Sequence, residues 1–449
     1  MRRVYMVLLL FYFAHQAVAQ TAPATMSLSH CIQFALENNQ NIKNAQLSLD
    51  ISRYRVGEIL ADGLPQLNAS ADLGYNFKVA TSFIPAEFFG GEVGTFAPVQ
   101  FSPAYNGSAA IDLNQMIFDG SYFVGLKASR TYTDLARKDK IKSETDVIEA
   151  VSKAYYLALV NHEQLELIEN SYGRLDSLLQ DTRAMLDVGF AEQIDVDRIR
   201  VQYNNAKVEK ENFRRTLELS YALLKFQMGM DINAPLELKD RIADIQFEVL
   251  DENFVNDFDY VDRIEFSQLQ TNLELVNLDI KNTQVRYLPK IDIYGRYGAS
   301  TGAGSTSDLL NFGDRWFGLG VVGLRMNVPI FDGLRKSRQI QQKRLQIKQI
   351  EVSKDQLQKN IDVQIQQAKT TLKKSVDNMI AQRENMELAE NVYRVAKIKY
   401  EAGVGSNIEV INADTSFKEA QTNYHGSVYN ALVAKVDLEK ACGKLLDNK

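Results

Sequence analysis

The 449-residue chain is poor in the residues that carry thiol and metal chemistry. It has 2 cysteines, Cys31 and Cys442, and 4 histidines. That is too few, too far apart, for a zinc ribbon, a CxxC redox motif or a disulfide framework. His30, His162 and His425 show no ligand spacing, so no metal is expected. Proline is scarce, at 8, which permits long uninterrupted helices. There is no excess of positive charge: the formal net charge is −6, so nucleic acid, which calls for a basic patch, is not an expected partner. Beyond the N-terminal region no 18 consecutive residues are apolar. Any membrane insertion must therefore use strands rather than helices. No nucleophile motif, phosphate loop or supported pair of carboxylates is present, so the chain is read as no enzyme, with no catalytic residue and no cofactor.

What is there points to an exported, folded chain. Its 45% hydrophobic and 24% charged residues suit a packed core rather than disorder. Arg2 and Arg3, the apolar run from Val4 to Phe13 and Ala17-Val18-Ala19 read as a secretory signal peptide, 1–19, cut after Ala19. The apolar run is too short for the roughly 20 residues that span a bilayer. No cysteine follows the cleavage site, so N-terminal lipidation is not indicated.

Self-comparison shows a tandem duplication. Leu64-Pro65 recurs as Leu288-Pro289, and Ile117-Phe118-Asp119-Gly120 as Ile330-Phe331-Asp332-Gly333. Ala184 to Gly229 lies over Ile398 to Gly443 at a constant offset of 214, which pairs Gly189 with Gly403, Asp195 with Glu409 and Gly229 with Gly443. The domain organisation follows: a first repeat over 20–229, a connecting segment over 230–261 and a second repeat over 262–449.

Each repeat reads as a helix, two strands and two long helices. The first helix is capped by Ser27 or Ser29 and runs to about Gly63, where Leu-Pro stops it. Strands are expected at about 66–78, 104–116, 289–300 and 316–329. In the first, Leu67, Ala69, Ala71, Leu73, Tyr75 and Phe77 oppose Asn68, Ser70, Asp72 and Asn76, the alternation of a sheet with one apolar face. Residues 316–323 are apolar on both faces, so their inside and outside stay open. The segments 80–104 and 300–315 read as exposed loops. After each Ile-Phe-Asp-Gly comes a helix whose apolar residues (Ile141, Ile148, Val151, Tyr155, Ala158, Leu165 onward) keep a heptad-like, coiled-coil spacing. At 1.5 Å per residue it would reach about 100 Å.

Four membrane strands cannot close a barrel, and an open edge in lipid leaves backbone groups unpaired. Other copies must complete it: two give eight strands with a filled interior, and three give twelve with a lumen. The polar faces would line that lumen and the helices would continue the tube. This describes a conduit.

The pattern resembles the TolC-like outer membrane efflux proteins over nearly the whole mature chain. The resemblance rests on MSLSHCIQFALENNQNIKNAQ, the two Leu-Pro strand entries, the duplicated IFDG and KYEAGVGSNIEVINADTSFKEAQTNY. It implies a mainly α fold with membrane β, in which a homotrimer shares one 12-stranded β-barrel and a long α-helical periplasmic barrel. It further implies an exit duct in the outer membrane lipid. That duct would dock to a periplasmic adaptor and an inner-membrane transporter of RND or ABC type, in tripartite efflux or type I secretion. Two local departures touch only helix boundaries: Asn39-Gln40-Asn41 where the family often has Asn-Pro, and Arg263-Ile264-Glu265 where it often has Arg-Pro-Glu.

The resemblance also assigns a periplasmic mouth. The turns carrying Gly189 and Phe190, and Gly403, Gly405 and Ser406, would meet the adaptor's tip. Glycine also serves simply to end a helix. Glu409 matches an acidic position lining the closed mouth, where three copies would form a cation-attracting ring. It would equally suit a helix N-terminus. The second acidic ring position falls on Asn412. Asp195 and Tyr400 match a pair whose hydrogen bond holds the mouth shut, and an arginine that adds a lock in the family is Gly405 here. Cys31 and Cys442 read as buried thiols, with a disulfide open. The competing reading is a trimeric surface adhesin or structural coiled coil, which rarely shows a tandem duplication with two strand pairs.

Overall fold

The computed structural model describes residues 24–242 and 258–446, apart from Phe312 and Asp314. The export signal read at 1–19, and 243–257 of the connecting segment, lie outside the described residues. In chain order the elements are β1 (Ala24–Met26), α1 (Leu28–Asn38), α2 (Gln40–Ala61), β2 (Gln66–Tyr75), β3 (Ser82–Pro85), β4 (Phe96–Val99), β5 (Tyr105–Phe118), α3 (Gly120–Asp187) and α4 (Gln193–Met228). There follow β6 (Leu236–Leu238), α5 (Ile264–Val285), β7 (Lys290–Ala303), the short α6 (Thr306–Leu309), β8 (Phe317–Asn327), α7 (Arg335–Glu401) and α8 (Asn407–Ala441). The chain divides into two compact units. Among the described residues, one gathers 24–48, 137–242, 258–268 and 354–446, the other 49–136 and 269–353.

The second unit is built on one antiparallel sheet of order β2-β5-β7-β8. Its register carries the apolar face across all four strands: Ala69 faces Ile111, Ile111 faces Tyr297, and on the same face Leu73 faces Gly107 and Ile293 faces Leu324. The opposite face is mainly polar on β2, β5 and β7, while β8 adds Phe317, Leu319 and Val321 to it. Asn68 faces Asp112, which faces Arg296, and Arg296 donates to both Asp112 oxygens at 2.6 and 3.0 Å. The ambiguous strand is settled by register. Val322 joins the apolar face beside Gly295, whereas Val321 lies beside Arg296 on the polar one. Gly298 is required by close approach, because a Cβ there would stand 2.3 Å from the Ala109 carbonyl oxygen. Among the described residues the outer edges of β2 and β8 pair with no strand.

Three local features differ from the sequence reading. The stretch 80–104 is not only loop, since β3 and β4 pair as a small hairpin within it. The connecting segment contributes β6, which pairs in parallel with β1. The first helix is two helices, broken at Asn39, whose backbone turns extended at ψ 134°. Its side chain accepts from the Asn41 amide at 2.8 Å and donates to the Gln227 carbonyl at 2.7 Å. Asn39 caps the new helix through its side chain, and Gln40 opens that helix where the family often has proline.

In the first unit that joint is repeated. Arg263 donates to the Ala441 carbonyl at 2.9 Å, as Asn39 does to Gln227, and Ala441 is the repeat partner of Gln227. Two residues beyond each carbonyl stands a left-handed glycine, Gly229 (φ 71°) or Gly443 (φ 72°). Both lie so close to the neighbouring backbone that a Cβ would meet Asn38 at 2.7 Å or Asp262 at 2.5 Å. The core around them holds Cys31, Val151, Tyr155, Leu159, Leu224 and Met228. Burial of each large side chain there contributes about 1.5–3 kcal/mol. Tyr155 donates to Asp240 at 2.7 Å. Both cysteines are free thiols in separate clusters, and burial pushes Cys31 up to about 12. Lys440 bridges Asp146 and Glu149, and Lys153 bridges Glu149 and Asp437.

The duplicated Asp-Gly caps both long helices: Asp119 accepts from the Ser121 amide at 2.8 Å and Asp332 from the Lys336 amide at 3.1 Å. The second copy fits two more residues before its helix, Gly333 and Leu334, both at φ 65°. Leu334 is the only non-glycine at positive φ among the described residues.

Candidate functional site

At the far ends of α3 and α7 the two repeats close in the same way. Gly189 (φ 81°) and Gly403 (φ 74°) end the helices in the left-handed conformation. The next amide reaches back to the last turn: Phe190 to the Met185 carbonyl at 2.8 Å, Val404 to Lys399 at 3.0 Å. These bonds satisfy carbonyls that a helix end leaves open. Gly405 has a different reason to be glycine. A Cβ there would stand 3.0 Å from the Lys399 Cβ. Ser406 is the N-cap of α8 and makes no side-chain cap bond. Each turn presents apolar side chains outward, Phe190 at 87% exposure and Val404 at 78%.

Asp195 sits in the first turn of α4. It closes a capping box with Glu192, accepting from the Glu192 amide at 3.2 Å. It also accepts from the side chain of Asn407 at 3.1 Å. Asn407 is buried and opens α8, so this bond ties the start of one return helix to the start of the other. The sequence reading passed over Asn407. Its signal was available: an amide at a first helical position is a poor helix former unless it has a partner.

Tyr400 does not bond Asp195 within this chain. It lies on the last turn of α7 facing α3, and its hydroxyl meets Thr182 Oγ1 at 2.9 Å and Met185 Sδ at 3.7 Å. Thr182 is fully buried and donates onward to the Leu178 carbonyl at 2.8 Å, which leaves its oxygen to accept from Tyr400. The expected single latch is therefore two separate clasps, Tyr400–Thr182 between α7 and α3 and Asp195–Asn407 between α4 and α8. Farther from the tip a third joins α3 to α8. Arg174 donates to Asp414 at 2.7 Å, Ser171 holds the other Asp414 oxygen at 3.0 Å, and the guanidinium lies over Tyr393 and Phe417.

Glu409 and Asn412 are exposed and three residues apart, so they share one face of α8. With Val392, Val395, Lys399 and Ser416 they line a groove of about 590 Å³ between α7 and α8. Among the described residues no cluster of His, Cys, Asp or Glu could hold a metal ion. No described helix is long and apolar enough to cross a membrane. The arrangement is one of clasps and caps that tie helix to helix, with an exposed acidic position beside them.

A family model described as outer membrane efflux protein matches residues 31–230 and again 262–444. The chain is 24% identical over 426 residues to a probable efflux pump outer membrane protein, TtgC, of Pseudomonas putida, covering 93% of this chain and 83% of that one. It is 20% identical over 434 residues to outer membrane protein TolC of Escherichia coli, covering 93% and 82%. The crystal structure of the outer membrane protein VceC from Vibrio cholerae superposes with a TM-score of 0.69 at 14% identity, covering 93% of this chain and 96% of that one.

Proposed function

The chain belongs to the outer membrane efflux protein family, and from that premise we propose that three copies of it form one exit duct through the outer membrane. The observation that carries this is the sheet: four antiparallel strands, one face mainly apolar, and two outer edges that pair with no strand among the described residues. In lipid an unpaired edge is untenable, so β8 of one copy pairs with β2 of the next. Strands of 10–14 residues are long enough to cross the membrane when tilted. Three copies give twelve strands and a lumen lined by the polar face. Each copy carries the duplicated half-units 20–229 and 262–449, joined by 230–261.

The duct is passive: the energy comes from an inner-membrane transporter of RND or ABC class, reached through a periplasmic adaptor. The turns at Gly189–Phe190 and Gly403–Ser406 are the adaptor's docking points, because their apolar side chains stand outward and their glycines admit close approach. Glu409, with Asn412 beside it, lines the mouth. Tyr400 and Asp195 hold the mouth through their respective clasps.

The test is the mass of the detergent-extracted protein by light scattering coupled to size exclusion. Three times the mature chain, from the outer membrane fraction, is the expected value. A monomer of about the chain's 50.8 kDa or a dimer overturns the twelve-strand reading.

A further inference from the structure

The loop between β2 and β5 carries an aromatic surface that a conduit does not need. Six of the chain's 22 phenylalanines fall within 77–101, and all six are exposed, from 65% at Phe89 and Phe96 to 89% at Phe77. Pairing in the β3–β4 hairpin sets Phe83 opposite Pro98 and Pro85 opposite Phe96, so these four share one face, exposed and wholly apolar. The other face, with Ile84, Ala97 and Val99, is half-buried. Phe88 and Phe89 extend the apolar surface over the turn that follows β3.

Charge and edge chemistry narrow the occupant. From 79 to 104 the only charged residues are Glu87 and Glu92. Glu87 is engaged within the loop, accepting from the Gly94 amide at 3.1 Å. The hairpin and its turn carry no cation to recognise an acidic partner; Lys78, beside Phe77, precedes them. Pro85 and Pro98 have no amide to donate, so the hairpin is blunted against strand addition and offers a face, not an edge. The loop between β7 and β8 behaves differently. It folds onto itself through Trp316 donating to the Leu309 carbonyl at 3.2 Å and Arg315 paired with Asp308 at 2.9 Å. Continuity supplies the direction. Tyr75, stacked on Tyr105 with ring centroids 4.7 Å apart, ends the apolar face of β2, and Phe77 continues its alternation. That face meets lipid in an outer membrane protein, and barrels carry aromatic girdles where it ends.

We propose that the Phe83–Pro85–Phe96–Pro98 face, with Phe88 and Phe89, lies down into the outer interface of the bilayer and anchors each copy there. The occupant is a lipid surface, recognised by apolar insertion rather than by charge.

The test uses full-length protein in phospholipid vesicles, labelled at single introduced cysteines with an environment-sensitive fluorophore. Cys31 and Cys442 are buried and do not compete. Phe83→Cys, Phe88→Cys and Phe96→Cys are compared with Glu92→Cys, and with Tyr297→Cys on the sheet's apolar face. The expected result is quenching of about twofold or more by shallow nitroxide lipid at 83, 88 and 96, with protection from aqueous iodide and little quenching at 92. Quenching at 297 establishes separately that the sheet is in the bilayer. Labels at 83, 88 and 96 that are quenched by iodide but not by lipid overturn the proposal, because the hairpin then stands in solvent. Protection from both quenchers also overturns it, because the face is then covered by a second copy or by its own chain.

Discussion

Single residues in this chain differ in what their neighbours permit, and the glycines make the clearest contrast. Gly403 and Gly443 share a left-handed backbone, but a Cβ on Gly403 meets nothing within 4 Å, whereas one on Gly443 meets Asp262 backbone at 2.5 Å. Gly403→Ala should therefore cost only the conformational penalty of about 1–2 kcal/mol. Gly443→Ala should cost more, since the joint with Asp262 and Arg263 must open, and thermal melting of the purified protein should rank them in that order. Glu149 gives a pH-dependent case. Burial alone would raise its carboxyl, but hydrogen bonds from Lys153 and Lys440 outweigh burial and hold it below the usual range. A carboxylate lowered in the native state stabilises above its unfolded value of about 4.3, and that contribution is lost as pH falls through the native value. Glu149→Gln should lower the melting temperature at neutral pH and flatten its decline below about pH 4. An unchanged acid limb would mean that other carboxylates carry it.

Elements show how a clasp depends on which helices it joins. Tyr400 reaches α3 through Thr182, and Asp195 reaches α8 through Asn407. If the first clasp holds α7 inward, Tyr400→Phe and Thr182→Val should each raise single-channel conductance. The double variant should add little to either, because one bond is removed in all three. Full additivity would separate the two residues and end the clasp reading. Much at this scale was legible from period alone. The alternation of β2 and β5, the long heptad-like helices and the Gly-ended turns all repeat local patterns that burial or backbone sterics impose. The break at Asn39 was not legible, because its cause is a carbonyl 188 residues away, at Gln227. The hairpin within 80–104 was hidden for a similar reason: its Gly-, Phe- and Ser-rich sequence reads as loop until Phe83 and Pro98 are seen to pair. The Tyr400–Asp195 pair was expected by resemblance, which carries residue types but not the helix each side chain faces.

For the whole molecule, the duplication matters more than any single contact, because it gives two helical hairpins with the same closure and different chemistry at the start of each return helix. Asp195 and Glu409 are repeat partners, yet Asp195 is engaged by Glu192 and Asn407 while Glu409 is exposed beside Asn412. At this repeat position it is therefore the second copy that leaves its carboxylate exposed, and in the proposed trimer three of them would meet. A ring of three like charges in a narrow mouth concentrates cations and excludes anions. With asparagine in the neighbouring position, its field is that of one ring rather than two. Reversal potentials under a salt gradient across a planar bilayer measure this directly. The wild type should prefer cations, Glu409→Gln should move the reversal potential toward zero, and Asn412→Asp should move it further in the cation direction. The shifts should shrink in molar salt, where the screening length falls to about 3 Å. Selectivity that ignores both substitutions would place the narrowest charged point of the duct away from α8.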